Sequence, residues 1–221
     1  MTRVAWARAP QAGVRLAWLR ACRVVTALAV SGGAAGSAWS HSAGPPTGYT
    51  AAPGDNILAC ASCHAHFNWG GGSVGLVGPS GYVAGDTLHF DVALRMLGQQ
   101  RWGFELTALT SQRLPAGTLV VTEPTRTLLQ SSSTGRQYIS HNGSGTYLGV
   151  QDAAPGWSFG WVAPPAGTGT VTFYFAGNAA DGDFRTSGDF IYTGSYSVQE
   201  ATSSVQSRTW SAVKNLYGPD R

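Results

Sequence analysis

The chain has 221 residues and a mass of 23.0 kDa, with 14 Lys+Arg against 11 Asp+Glu and a formal charge of +3. Five of the basic residues (Arg3, Arg8, Arg15, Arg20 and Arg23) fall in the first 40 residues, which contain no Asp or Glu, so the remainder carries a net −2 and has nothing basic enough to argue for nucleic acid. Charged residues are 11% and aromatics 11%, and no apolar run reaches the ~18–20 residues of a membrane span, which points to one aromatic-rich, turn-rich globular domain behind a targeting segment.

The first element is a predicted signal peptide over residues 1–40. Its arginine-studded start is followed by the apolar run Val24-Val25-Thr26-Ala27-Leu28-Ala29-Val30 and then by small residues through Ala38. A basic stretch, an apolar stretch and a small-residue cleavage site are what an exported chain requires. Cleavage after Ala38 or Ser40 removes Cys22 and leaves Cys60 and Cys63 as the only cysteines of a periplasmic or secreted protein. No further membrane span is expected in that mature chain.

Residues 41–72 read as irregular, with breaker sequences around Pro45-Pro46 and Pro53-Gly54. Over residues 73–200 a two-residue period takes over. Leu88/Phe90/Val92/Leu94/Met96, Trp102/Phe104/Leu106, Trp157/Phe159/Trp161, Val171/Phe173/Phe175 and Phe190/Tyr192/Tyr196/Val198 each alternate with smaller or polar residues between turn signals. Short alternating runs of this kind predict an all-β sandwich with one buried face per sheet. In the tail, residues 201–221, Trp210, Val213, Leu216 and Tyr217 share one face of a predicted short amphipathic helix stopped by Gly218-Pro219.

The chemistry concentrates in Cys60-Ala61-Ser62-Cys63-His64. C-x-x-C-H is the attachment pattern of a c-type haem: two thiols two residues apart each bond one vinyl group, and the next histidine ligates the iron. Three other readings of the cysteine pair stay open. It could close a small disulfide, act as a redox dithiol, or supply half of a zinc site, for which only His66 is near. For a sixth iron ligand the candidates are His41, His66, His89, His141 and Met96. His66 is too close to His64 in the chain to reach the opposite face of a ring. Met96 shares the core alternation of its strand, and His89 occupies the polar face of the same strand. His141, at a strand end entering Asn142-Gly143-Ser144-Gly145, is the residue chosen. His41 would offer a copper chelate if cleavage fell after Ser40. Trp69 or Trp102 could shield a ring. The Gly177–Asp183 loop lacks the length and closing glutamate of a calcium loop and reads as a turn.

Several motifs in order resemble the bacterial Reeler-like proteins called choice-of-anchor V domain proteins. They are Gly44-Pro45-Pro46-Thr47-Gly48-Tyr49 with Ala52-Pro53-Gly54-Asp55, the C-x-x-C-H, Arg101-Trp102-Gly103-Phe104-Glu105, Tyr138-Ile139-x-His141, Trp157-x-Phe159-x-Trp161, Gly177-Asn178-Ala179-Ala180-Asp181-Gly182 and Ser187-Gly188-Asp189-Phe190. The resemblance covers about residues 41–200. It implies an immunoglobulin-like β-sandwich and export, with Cys60, Cys63 and His64 as the haem-attachment triad and His141 at the family's histidine after an aromatic strand. The C-terminal surface anchor of many members has no obvious counterpart after residue 200. Two functions are carried forward. One is a single-haem c-type protein transferring electrons to an unidentified redox partner. The other is a non-catalytic extracellular binding module with a Cys60–Cys63 disulfide. An enzyme acting at an open haem or copper position is the weaker expectation.

Overall fold

The structure is a computed structural model that describes residues 41–64, the backbone of 66–67, and residues 70–201. The predicted signal peptide, the C-terminal helix and Trp69 lie outside the described residues. All the described residues belong to one compact unit.

Among the described residues, eleven strands are laid down in chain order: β1 (His66–Phe67), β2 (Ser73–Val77), β3 (Gly81–Tyr82), β4 (Thr87–Arg95), β5 (Arg101–Thr110), β6 (Thr118–Val121), β7 (Thr127–Ser131), β8 (Gln137–His141), β9 (Trp157–Val162), β10 (Val171–Ala180) and β11 (Phe190–Glu200). They form a seven-stranded sheet, ordered β1-β11-β10-β5-β8-β7 with β3 also on β11, and a four-stranded sheet ordered β2-β4-β9-β6. β1 and β3 run parallel to β11, and the remaining pairs are antiparallel. The two sheets stack as an immunoglobulin-like sandwich, so the predicted all-β class is the observed one.

The alternation read from the sequence places the core. In β4, Phe90, Val92 and Leu94 are buried while His89, Asp91, Ala93 and Arg95 face solvent. Aromatic rings from the two sheets interlock: Phe90 meets Phe173 with centroids 4.8 Å apart, Trp161 meets Phe173 at 5.2 Å, and Phe104 meets Trp157 at 4.7 Å. Such pairs add about 0.5–1.5 kcal/mol each beyond their burial. The buried indole N–H groups are satisfied locally, Trp102 donating to the Val150 carbonyl and Trp157 to that of Gly145. Met96 is buried, with the Tyr192 hydroxyl on its sulfur at 3.3 Å, and His89 is exposed, as the strand pattern predicts for both.

β5 departs from the alternation. Every residue from Arg101 to Leu109 is buried, the outward-facing Arg101, Gly103, Glu105 and Thr107 included. The cover over this outer face is the segment 41–64, which has little regular structure but is firmly tied down. Tyr49 N–H donates to Glu105 at 2.6 Å. The Asp55 carboxylate accepts from Arg136 at 2.6 Å, Tyr138 at 2.7 Å and Thr50 at 2.6 Å. The segment is therefore a third layer, and it delivers the Cys-x-x-Cys-His motif to the outer face of the larger sheet.

Candidate functional site

The motif sits on a single tight turn. Asn56 starts it, its side-chain oxygen accepting the Leu58 N–H at 3.0 Å and its carbonyl that of Ala59 at 2.9 Å. Ala59, fully buried, takes the left-handed conformation at φ 48°. The 3-10 turn Ala59–Ser62 then folds back so that the N–H groups of Cys63 and His64 reach the Cys60 carbonyl at 3.2 and 3.1 Å. Cys60, Cys63 and His64 thereby face one cleft. The two sulfurs are unpaired, so the disulfide expected under the second reading is not formed in this structure. Cys63 is exposed. The Cys60 sulfur lies 3.8 Å from the Tyr49 carbonyl, and its thiol is pushed up to about 12 by burial and then by nearby Glu105. Cys60 is thus held as a neutral thiol.

His64 is oriented from below. Its Nδ1 is hydrogen-bonded to Oδ2 of Asp189, a residue 1% exposed at the entrance to β11. Asn178 of β10 braces the pair, its amide donating to the same carboxylate oxygen at 3.3 Å and standing 3.2 Å from Nδ1. A carboxylate on Nδ1 fixes the tautomer and turns Nε2 into the electron-pair donor, the arrangement found behind metal-binding histidines. The other oxygen of Asp189 and the amide oxygen of Asn178 are buried with no hydrogen-bond partner. Among the described residues, no three His, Cys, Asp or Glu side chains gather as an ion site.

His141 lines the same cleft, some 80 positions away in the sequence. Its imidazole lies flat on β5, where a Cβ at Gly103 would stand 2.7 Å from the ring. Only glycine leaves room for it. Nδ1 meets the Phe104 N–H at 3.0 Å and the Phe104 carbonyl at 3.2 Å, and a further bond runs to the His41 main chain. Burial lowers its pKa to about 4, with the charges of Arg101 and His64 adding to the effect and the two main-chain bonds opposing it. The ring is neutral at physiological pH.

The cleft therefore gathers Cys60, Cys63, His64 and His141, with His41 also in its lining. Its cavity volume is about 60 Å³, enough for a few waters or the edge of a large planar group. Trp102 is among the residues lining the cleft, and it is also part of the sandwich core. Asp189, Asn178 and Arg101 were not legible as site residues, because each meets its partner across more than ten residues of sequence and only the folding of segment 41–64 onto the sheet joins them.

No family model matches the chain, and no curated protein matches it. Similar solved structures include a cohesin module from a Clostridium perfringens family 33 glycoside hydrolase (11% identity, TM-score 0.40, 58% of this chain and 96% of that one). A non-cellulosomal cohesin from Archaeoglobus fulgidus (10%, 0.34, 60% and 94%) and a CARDB domain from Pyrococcus furiosus in complex with di-metal ions (10%, 0.29, 62% and 94%) are also similar. Among the described residues no helix is long and apolar enough to cross a membrane.

Proposed function

We propose that the chain is an exported carrier of one covalently attached c-type haem, related to the Reeler-like choice-of-anchor V proteins, and that it serves electron transfer. The observation that carries this reading is the state of the C-x-x-C-H turn: both thiols face a cleft, and His64 enters it with Nδ1 already held by buried Asp189. That donor set fits the group. Cys60 and Cys63 would hold it through thioether bonds, and His64 would supply Nε2 to the iron. When bound, the haem contributes reversible one-electron chemistry at its iron.

The chain's own residues do the rest. Asp189 and Asn178 orient His64 and raise the basicity of Nε2 through the bond at Nδ1. His141, held neutral by burial in the same cleft, would supply a second nitrogen to the iron. The segment 41–64 keeps water off the sheet beneath.

Expression in a periplasm equipped for haem maturation tests this. The expected product is coloured, retains haem through denaturing electrophoresis and gives the absorption of a pyridine haemochrome. In the loaded protein, His141→Ala is expected to lose the low-spin spectrum, and an unchanged spectrum excludes His141 as a ligand. A colourless product with Cys60 and Cys63 joined to each other would overturn the haem reading. A second reading would then stand, that of a non-catalytic extracellular binding module. It is favoured by the apolar walls of the cleft, which include Pro45, Pro46 and Ala180.

A further inference from the structure

Arg101 opens β5 on the outer face of the seven-stranded sheet and lines the cleft, yet the residue is only 8% exposed. Its guanidinium donates to the Ser42 hydroxyl and lies 4.3 Å from the ring centroid of Phe184. Among the described residues, the ion pairs are His64–Asp189, Arg136–Asp55 and Arg185–Asp183, so no carboxylate is within salt-bridge reach of Arg101. The acid whose charge acts on it is Asp189, which stands beyond salt-bridge reach, with one oxygen shared by His64 and Asn178 and the other buried without a hydrogen-bond partner. A buried cation without a counter-ion is unfavourable, and guanidinium carries five donors in a fork shaped for a carboxylate.

The neighbouring ring adds an independent observation. Phe184 adopts φ 66°, a left-handed conformation that a bulky L-residue rarely accepts, and it is 59% exposed. A strained backbone that leaves an aromatic ring in solvent gains nothing from core burial. What it does is place a flat apolar wall over the guanidinium at the cleft's rim.

We infer that Arg101 is the anchor for a carboxylate borne on an otherwise apolar ligand, taken into the cleft beneath Phe184. Two sources share that chemistry, a propionate of a haem held by Cys60 and Cys63 and the head of a free apolar acid. The first rests on the proposed function, and the second does not.

The test uses the full mature chain, purified colourless, and two matched probe pairs: haemin against haemin dimethyl ester, followed by absorbance, and decanoate against decanol, followed by calorimetry. The expected result is that the acid of at least one pair binds ten-fold or more tighter than its uncharged partner. Arg101→Gln is expected to bring the acid to its partner's affinity, and Arg101→Lys to keep part of the difference. Discrimination in the haemin pair alone identifies a propionate as the anion, and discrimination with decanoate identifies a free-acid site. The inference is overturned if the unaltered chain shows no acid preference in either pair, if it binds none of the four probes, or if the preference survives Arg101→Gln. Because the comparison within the unaltered chain needs no variant, a misfolded Arg101→Gln does not rescue the inference. Because it needs no covalent haem, failure of the maturation experiment is a separate result.

Discussion

Glu105 has no solvent exposure and sits at the centre of the outer face. Burial raises its pKa from 4.5 to about 8, against the opposing hydrogen bonds from the Tyr49 and Gly48 main chain. Its Oε2 accepts the Tyr49 N–H, while Oε1 has no partner. The protonated acid is the form that this place accepts. Below about pH 4.5 the folded and unfolded chains both carry the proton, and nothing is lost. As pH rises from about 4.5 to about 8 the unfolded chain releases the proton first, so stability falls through that window and levels off above it. The full difference is on the order of 5 kcal/mol. Glu105→Gln keeps an acceptor for Tyr49 and removes the titration. Urea unfolding is expected to show the unaltered chain weakening from pH 5 to pH 9 relative to Glu105→Gln, with the variant the more stable of the two at pH 9. Parallel pH profiles for the two proteins would contradict the buried-acid account.

At the scale of elements, the outer face works because a glycine in β5 makes room for a histidine from β8. Gly103→Ala would set a methyl group 2.7 Å from Cε1 of His141 and 3.0 and 3.1 Å from its ring nitrogens. The ring cannot slide away without breaking its bonds to the Phe104 main chain. The expected loss is about 1–3 kcal/mol of stability, as for other overpacked interiors. Expulsion of the ring should also return its pKa from about 4 toward 6.5, which proton NMR of the imidazole can follow. An unshifted titration together with unchanged stability would refute the close packing. The same elements explain what the sequence could convey. The alternation of β4, β9, β10 and β11 was readable because one face of each strand meets the core and the other is less covered. The short strands β2, β3, β6 and β7 have too few residues to establish a period. The burial of both faces of β5 was unreadable from Trp102, Phe104 and Leu106, since its second cover comes from a stretch with no period at all. In the site, spacing alone revealed Cys60, Cys63 and His64. Asp189 and Arg101 carry no local pattern, and their roles depend on which strands become neighbours.

For the whole molecule, the third layer raises the question of what keeps an irregular segment folded over a sheet. Most of the answer lies in one carboxylate. Asp55, its side chain 2% exposed, accepts from Arg136 and Tyr138 of the sheet and from Thr50 of its own segment. Arg136 also donates to the Pro53 carbonyl at 3.1 Å, so both partners of the ion pair bind the segment to the loop and strand around β8. Removing one member of such a pair leaves the other buried and unpaired, at a cost of about 3–5 kcal/mol. The sandwich core itself makes no use of Asp55, because its aromatic rings lie on the opposite face of the sheet. Asp55→Ala should therefore loosen the cover before it unfolds the sandwich. Limited proteolysis is expected to cut the variant first within residues 41–64 while the tryptophan near-ultraviolet circular dichroism persists, and Cys60 should become reactive toward a thiol reagent at a rate approaching that of exposed Cys63. Loss of the circular dichroism in step with the first cleavage would mean instead that cover and sandwich unfold as one cooperative unit.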